Sequence, residues 1–285
     1  MRPITRRECL STLGVIGLAA LGSGCSSADP YDLIRRFPTT TIVPGRIRLP
    51  MSIGRKATVI VDERKAPAAL HGRIADANGT TVVDNLTAER QLINSEAPVG
   101  LRSPYYSFTA DLQAIGQYTL FVDGGAPNGA AFQINDPATV LVPVPGSPMP
   151  PVKTPTTTDG AGVDPICTRS PACPFHTVSL DAALTAGKPV VYMIGTPAYC
   201  QTGVCAPELE TLIRVSGSYA DRVTFIHAEV YTDETLKSAT PAVDAAKLDF
   251  EPVLFVVDAS GTVSERLDAV FGDLDIADAI DAVLG

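Results

Sequence analysis

Apolar and polar positions follow one rhythm in the first half of the chain and another in the second. From Met51 to Asn135 the apolar residues come in short runs parted by turns. Ala57–Val61 alternates toward Val59 and Val61. Leu70–Ala75 and Thr80–Val83 flank Asn78-Gly79, a strong hairpin signal. Tyr105–Ala110, Gln117–Val122 and Ala131–Ile134 continue the series, and no long 3.6-residue period interrupts it. Such a run of short strands predicts an all-β sandwich.

Beyond Val178 the period changes. Ser179 can cap a helix over Leu180–Ala186 that ends at Gly187. Val190–Ile194 carries no charge and reads as a central strand. In Cys205–Tyr219 the residues Leu209, Leu212, Ile213 and Ser216 recur at helical spacing, with Glu208, Glu210 and Arg214 outside. Arg222–Val230 is a second buried strand. Thr235–Leu248 is helical in character, broken at Pro241. Val253–Asp258 and Thr262–Leu267 are strands around Ala259-Ser260-Gly261. Asp273 can cap a last helix with Ile276, Ala277, Ile280, Val283 and Leu284 as its buried face. Strands alternating with helices predict an α/β unit.

Composition and charge then sort the flanks. With 45% apolar and 19% charged residues in 285, the chain can bury a sizeable core. The net charge of −9 argues against a nucleic-acid partner. Arg2, Arg6 and Arg7 precede the apolar stretch Cys9–Leu21, which is too short to span a membrane as a mature helix. Thr5-Arg6-Arg7-Glu8-Cys9-Leu10 resembles a twin-arginine export signal, and Leu21-Gly22-Ser23-Gly24-Cys25 resembles a bacterial lipobox. The resemblance implies export, removal of 1–24 and lipidation of Cys25, placing the chain on the extracytoplasmic face of the cell membrane, where disulfides persist. The plain alternative is a secretory signal followed by an incidental cysteine. Residues 25–50, with Pro30, Pro38, Pro44 and Pro50, read as a tether. Residues 136–177 read as a proline-rich linker that carries Cys167 and Cys173.

Within 51–135, Asp111–Leu120 resembles the tyrosine corner of immunoglobulin-like domains, which makes Tyr118 the corner tyrosine and the unit an immunoglobulin-like sandwich. No cysteine lies between Cys25 and Cys167, so the disulfide of antibody domains is missing. His71 reads as a strand or surface residue, and Asp62-Glu63-Arg64-Lys65 as a solvated turn.

Cysteine chemistry concentrates after residue 166. Cys167 and Cys173 lie in a proline-containing loop and can close a small ring, so the pair reads as a structural disulfide pinning the linker; a second redox pair, or a metal site with His176, is the alternative. Cys200 and Cys205 fall between the Val190–Ile194 strand and an amphipathic helix, the setting of thiol–disulfide chemistry. In a regular helix Cα atoms five residues apart are ~8.5 Å apart, beyond the ~7 Å limit for a disulfide. Gln201–Val204 must therefore form a loop if the two sulfurs bond, and Gly203 suits one.

The order of elements, the cysteine pair and Glu251-Pro252-Val253 make 178–285 resemble the thioredoxin superfamily. The resemblance implies a thioredoxin-like α/β fold, thiol–disulfide exchange with exported proteins, Cys200 as attacking thiol, Cys205 as resolving thiol, and Pro252 as a cis proline facing them. The chain departs from the family in its four-residue gap between cysteines and in lacking the buried acid on Val190–Ile194. The same stretch resembles copper-delivery proteins of cytochrome oxidase assembly, which would put copper rather than no cofactor at Cys200 and Cys205, with a distal histidine as third ligand. His227 lies mid-strand and reads as a core or flanking histidine. A binding lipoprotein with two structural disulfides is the non-enzymatic alternative.

Overall fold

The computed structural model describes residues 29–285. The expected export signal over 1–24 and the lipidation site Cys25 lie outside the described residues. Among the described residues no helix is long and apolar enough to cross a membrane.

The first half is built from β1 (Asp32–Arg35), β2 (Gly45–Arg55), β3 (Thr58–Val59), β4 (Ala69–Asp76), β5 (Thr81–Ile93), β6 (Ser103–Leu112), β7 (Gly116–Val122) and β8 (Ala130–Ile134). They form one eight-stranded sheet in the order β1-β2-β6-β5-β4-β7-β8, with β3 on β2. The sheet curls until its ends meet. Tyr31 bridges to Gly125, and the Arg35 guanidinium donates to the Ala131 carbonyl. Leu49, Met51, Ile53, Phe108, Leu120 and Ile134 fill the interior.

This corrects the immunoglobulin-like two-sheet sandwich. The cause lies in β5, which runs for 13 residues. Its Thr81–Glu89 segment pairs with β4 and its Arg90–Ile93 segment with β6. One strand thus carries hydrogen bonding around the corner where a sandwich would part into two sheets. The tyrosine corner itself is made, with the Tyr118 hydroxyl donating to the Ala114 carbonyl at 2.9 Å. The tether expected over 25–50 is corrected too, because Asp32–Arg35 and Gly45–Arg55 are paired strands of this sheet. Nor is Asp62–Lys65 a plain solvated turn: the Glu63 carboxylate is buried and accepts the Gly100 N–H.

The second half holds β9 (Val190–Ile194), β10 (Thr224–Ala228), β11 (Val253–Val257) and β12 (Val263–Asp268) in a four-stranded sheet ordered β10-β9-β11-β12. β9 and β11 carry no charge and are buried at every position, as central strands covered on both faces must be. The helices are α1 (Leu180–Ala183), α2 (Cys205–Ser216), α3 (Pro241–Ala246) and α4 (Asp273–Leu284). Leu209 and Leu212 of α2 and Ile276 and Ile280 of α4 pack on Met193 and Leu254. Leu180 of α1 and Ala242 and Ala246 of α3 cover Tyr192 and Phe255 on the other face.

The regular α/β thioredoxin-like fold expected for this half is also corrected. Strands and bridges hold 35% of the described residues and helices 16%. β9 is parallel to β10 but antiparallel to β11, which is antiparallel to β12. α1 and α3 are only 4 and 6 residues long. The helix expected over Thr235–Leu248 begins only at Pro241, because the chain before it folds back on itself through a Tyr231–Ala239 bridge. Ser179 does not cap α1; its hydroxyl accepts the Thr154 N–H and donates to Asp181.

The 136–177 segment is no free linker. It runs along the edge of β12 through Gly146 N–H to Val263 O, Val263 N–H to Ser147 O and Met149 N–H to Gly261 O. Val142 and Met149 then enter the core under one face of the sheet, and Cys167, Cys173 and Phe175 enter it under the other. Apolar side chains spaced between the prolines make burial of this segment favourable despite its extended backbone.

The two halves meet across a buried ion pair. Arg48 of β2 donates Nε to Asp275 Oδ1 at 2.8 Å and Nη2 to Asp275 Oδ2 at 2.6 Å. Asp275 stands in the first turn of α4 and also accepts from the Tyr105 hydroxyl, the Gln91 amide and the Gly272 N–H. It, rather than Asp273, accepts an open N–H at the helix start, that of Gly272.

Candidate functional site

β9 hands the chain to the loop 195–204, which returns at Cys205, the first residue of α2. Gly195 must come close to its neighbours: a Cβ there would lie 3.1 Å from the Cβ of Pro252 and 3.6 Å from that of Cys205. The Glu251–Pro252 peptide is cis. These contacts bring Pro252 and both cysteines to one place.

Cys200 and Cys205 are joined as a disulfide with Cα atoms 5.9 Å apart. Residues 201–204 form a loop rather than a helical turn, and Gly203 sits at φ +70°. The two sulfurs have different surroundings. Cys205 is fully buried, whereas Cys200 is half-buried. The Cys200 sulfur accepts the Cys205 N–H at 3.4 Å and lies 3.2 Å from the Thr202 hydroxyl. An N–H at a helix start and a nearby hydroxyl both favour a thiolate at Cys200.

Behind Cys205 stands the carboxyl that the sequence reading found missing. Glu251 Oε2 lies 3.4 Å from the Cys205 sulfur and accepts the Thr196 N–H at 3.0 Å. The acid arrives from the residue before the cis proline instead of from β9. Burial raises its pKa above the ordinary glutamate value; the Thr196 hydrogen bond opposes this and the Glu229 charge adds to it. The fold therefore favours the protonated form more than the unfolded chain does, a stabilisation that is full below the ordinary glutamate pKa and fades as pH rises through the folded value. Glu251→Gln is accordingly expected to gain stability over the native chain as pH rises, with equal stability in acid. Denaturant midpoints across a pH series check this.

Glu208, which the helical spacing puts outside, is 2% exposed. It faces the seam between the halves, and burial pushes its carboxyl well above the usual range. Among the expected outer residues Glu210 pairs with Arg169 at 2.6 Å, tying α2 to the Cys167–Cys173 loop.

A groove of about 410 Å³ opens beside the disulfide. Val230, Tyr231, Val243, Leu248 and Phe250 give it an apolar lining, and Gln201, Thr202 and Glu251 bound it on the cysteine side.

Cys167 and Cys173 are free, buried thiols, which corrects the structural disulfide expected between them. Their neighbours are His176 and His227, both within 1% of full burial. Cys173 Sγ lies 3.3 Å from His176 Nε2 and 3.5 Å from His227 Nδ1, and Cys167 Sγ lies 3.7 Å from His227 Nδ1. The hydrogen bond from Cys173 leads in holding the Cys167 thiol far below its usual pKa, and the same bond, with burial, pushes Cys173 up. This cluster touches the 195–204 loop. His227 Nε2–H donates to the Gly195 carbonyl at 2.9 Å, and the Ala198 N–H donates to the Thr168 hydroxyl at 3.1 Å.

His227 is thus committed away from Cys200 and Cys205, and the third group at those sulfurs is the Glu251 carboxylate. A hard oxygen donor does not suit copper(I), so the arrangement does not favour the copper reading. His71 is an exposed residue of β4, 2.9 Å from the Thr87 hydroxyl.

The geometry of the Cys200–Cys205 pair is compatible with thiol–disulfide chemistry. No protein family and no curated protein matches the chain. Among solved structures the chain is similar to a thiol:disulfide interchange protein, a thioredoxin family protein from Chlorobium tepidum TLS, at 19% identity and a TM-score of 0.33, over 50% of this chain and 99% of that one.

Proposed function

We propose that the protein is a thiol–disulfide oxidoreductase acting through Cys200 and Cys205, exported and lipid-anchored at Cys25 on the extracytoplasmic face of the membrane, with exported thiol or disulfide proteins as substrates. The observation that carries the reading is the asymmetry of the pair: a half-buried Cys200 sulfur receiving an N–H at the start of α2, and a buried Cys205 sulfur against Glu251. The sequence features of residues 1–25 support the location.

In the reducing direction the Cys200 thiolate attacks one sulfur of a substrate disulfide, and the other substrate sulfur leaves as a thiol after taking a proton. Cys205 gives its proton to the Glu251 carboxylate and attacks the Cys200 sulfur. The second substrate thiol is released and the protein is left as the disulfide. Two electrons have passed to the substrate, and a second dithiol restores the reduced protein. Every step runs in reverse for oxidation. Pro252 and the apolar groove hold the substrate segment beside Cys200.

Equilibration of the protein against graded dithiol/disulfide buffers, read by alkylation of Cys200 and Cys205, tests the proposal. A potential more oxidising than about −300 mV is expected; one below it marks a structural disulfide and overturns the reading.

A further inference from the structure

We propose that Cys167, Cys173, His176 and His227 form a closed Cys₂His₂ site for one zinc ion, set directly behind the redox loop. All four side chains are buried, and their ligand atoms lie within 4.8 Å of one another. Zinc held at ~2.3 Å by sulfur and ~2.05 Å by nitrogen in a tetrahedron requires edges of about 3.5 Å between S and N and about 3.3 Å between N and N. The S···N edges are 3.3, 3.5 and 3.7 Å, and His227 Nδ1 lies 3.4 Å from His176 Nε2. Four of the six edges thus match a zinc-sized tetrahedron, and the other two are no longer than 4.8 Å.

The second ring nitrogens point to the same conclusion. His176 Nδ1–H donates to the Pro155 carbonyl at 3.3 Å, and His227 Nε2–H donates to the Gly195 carbonyl. Each bond leaves the opposite nitrogen with a bare lone pair, and the two lone pairs face each other inside the core. In the metal-free chain the neighbouring thiols can serve these nitrogens, and a cation set among the four atoms takes both lone pairs and both sulfurs together. A carbonyl on the outer nitrogen is also how ligating histidines are oriented.

Charge calls for a divalent ion, and the S₂N₂ donor set points to zinc. Zinc takes both sulfurs as thiolates, and Zn²⁺ with two thiolates and two neutral imidazoles has no net charge. A neutral centre is the least costly to bury. With four protein ligands and no open position, the site is structural rather than catalytic. It gathers three distant segments, around Cys167–His176, around Pro155 and on β10, and through Gly195 and Thr168 it fixes the start of the loop that carries Cys200.

Metal analysis of the purified full chain tests the site. About one zinc per chain is expected, kept in Cys200→Ser and Cys205→Ser and lost in Cys167→Ser and His227→Ala. Exchange of zinc for cobalt(II) in the native chain, which needs no variant to fold, should give the visible bands of tetrahedral cobalt with thiolate-to-metal charge transfer. A metal-free chain that takes up no zinc, a Cys167–Cys173 disulfide in non-reducing peptide maps, or copper(I) bound in preference to zinc overturns the proposal. Zinc content is read independently of thiol exchange, so a chain that keeps zinc without exchanging disulfides refutes the proposed function and leaves this site standing.

Discussion

Cys205→Ser is expected to trap the protein as a mixed disulfide with its substrate through Cys200, with complete loss of turnover. The resolving thiol is gone in this variant, while the half-buried Cys200 sulfur and its helix-start N–H remain. Cys200→Ser should also lose all turnover but trap nothing, because Cys205 is fully buried and no substrate sulfur reaches it. Incubation of each variant with a disulfide-bearing peptide, followed by non-reducing mass analysis, separates the two. Mixed disulfide in Cys200→Ser instead of Cys205→Ser would reverse the assignment of roles. The expectation rests on geometry: attack needs an accessible thiolate, and only one of the two sulfurs offers it.

Arg48→Met is expected to destabilise the whole chain by about 3–5 kcal/mol, the usual consequence of removing one partner of a buried ion pair. Arg48 and Asp275 side chains are 12% and 7% exposed, so water cannot replace the lost guanidinium. Methionine fills similar volume, which limits any cavity contribution. The effect depends on pH with a definite sign. Burial alone would raise the Asp275 carboxyl, but the Arg48 charge and the hydrogen bonds around it outweigh burial and hold it below 3.8. A depressed carboxyl stabilises the fold above its unfolded pKa, and that stabilisation is lost as pH falls through the folded value. The gap between native and Arg48→Met chains should thus be widest near neutrality and close in acid. Denaturant melts at several pH values measure it. A gap that stays constant with pH would show that packing, rather than charge, holds the two halves together.

The parts of this fold that could be read from the sequence are those with a local cause. Val190–Ile194 and Val253–Val257 carry no charged side chain, and they are the two central strands. Gly203 and the span between Cys200 and Cys205 demanded a loop, and the loop is there. What escaped depends on pairing across long stretches of chain. β5 reads as a short strand because only its start alternates, yet it continues to Ile93 and joins what would have been two sheets. The prolines of 136–177 signal a linker, but Val142, Met149 and Phe175 among them are core residues. Glu251 escaped because the acid was sought on β9; the only local signal was a carboxylate placed directly before Pro252. His227 sits 60 positions from Cys167, and nothing in its own strand announces that both enter one cluster.

The 195–204 loop packs on the first half, which bears on the approach to its disulfide. Val204 is buried with Ile93, Tyr105 and Val270, and Cys200 leans on the same group. The curled sheet therefore screens the disulfide from one side, leaving the approach along Phe250 and Tyr231. On the proposed function, the first half thereby narrows the directions from which a substrate sulfur can reach Cys200.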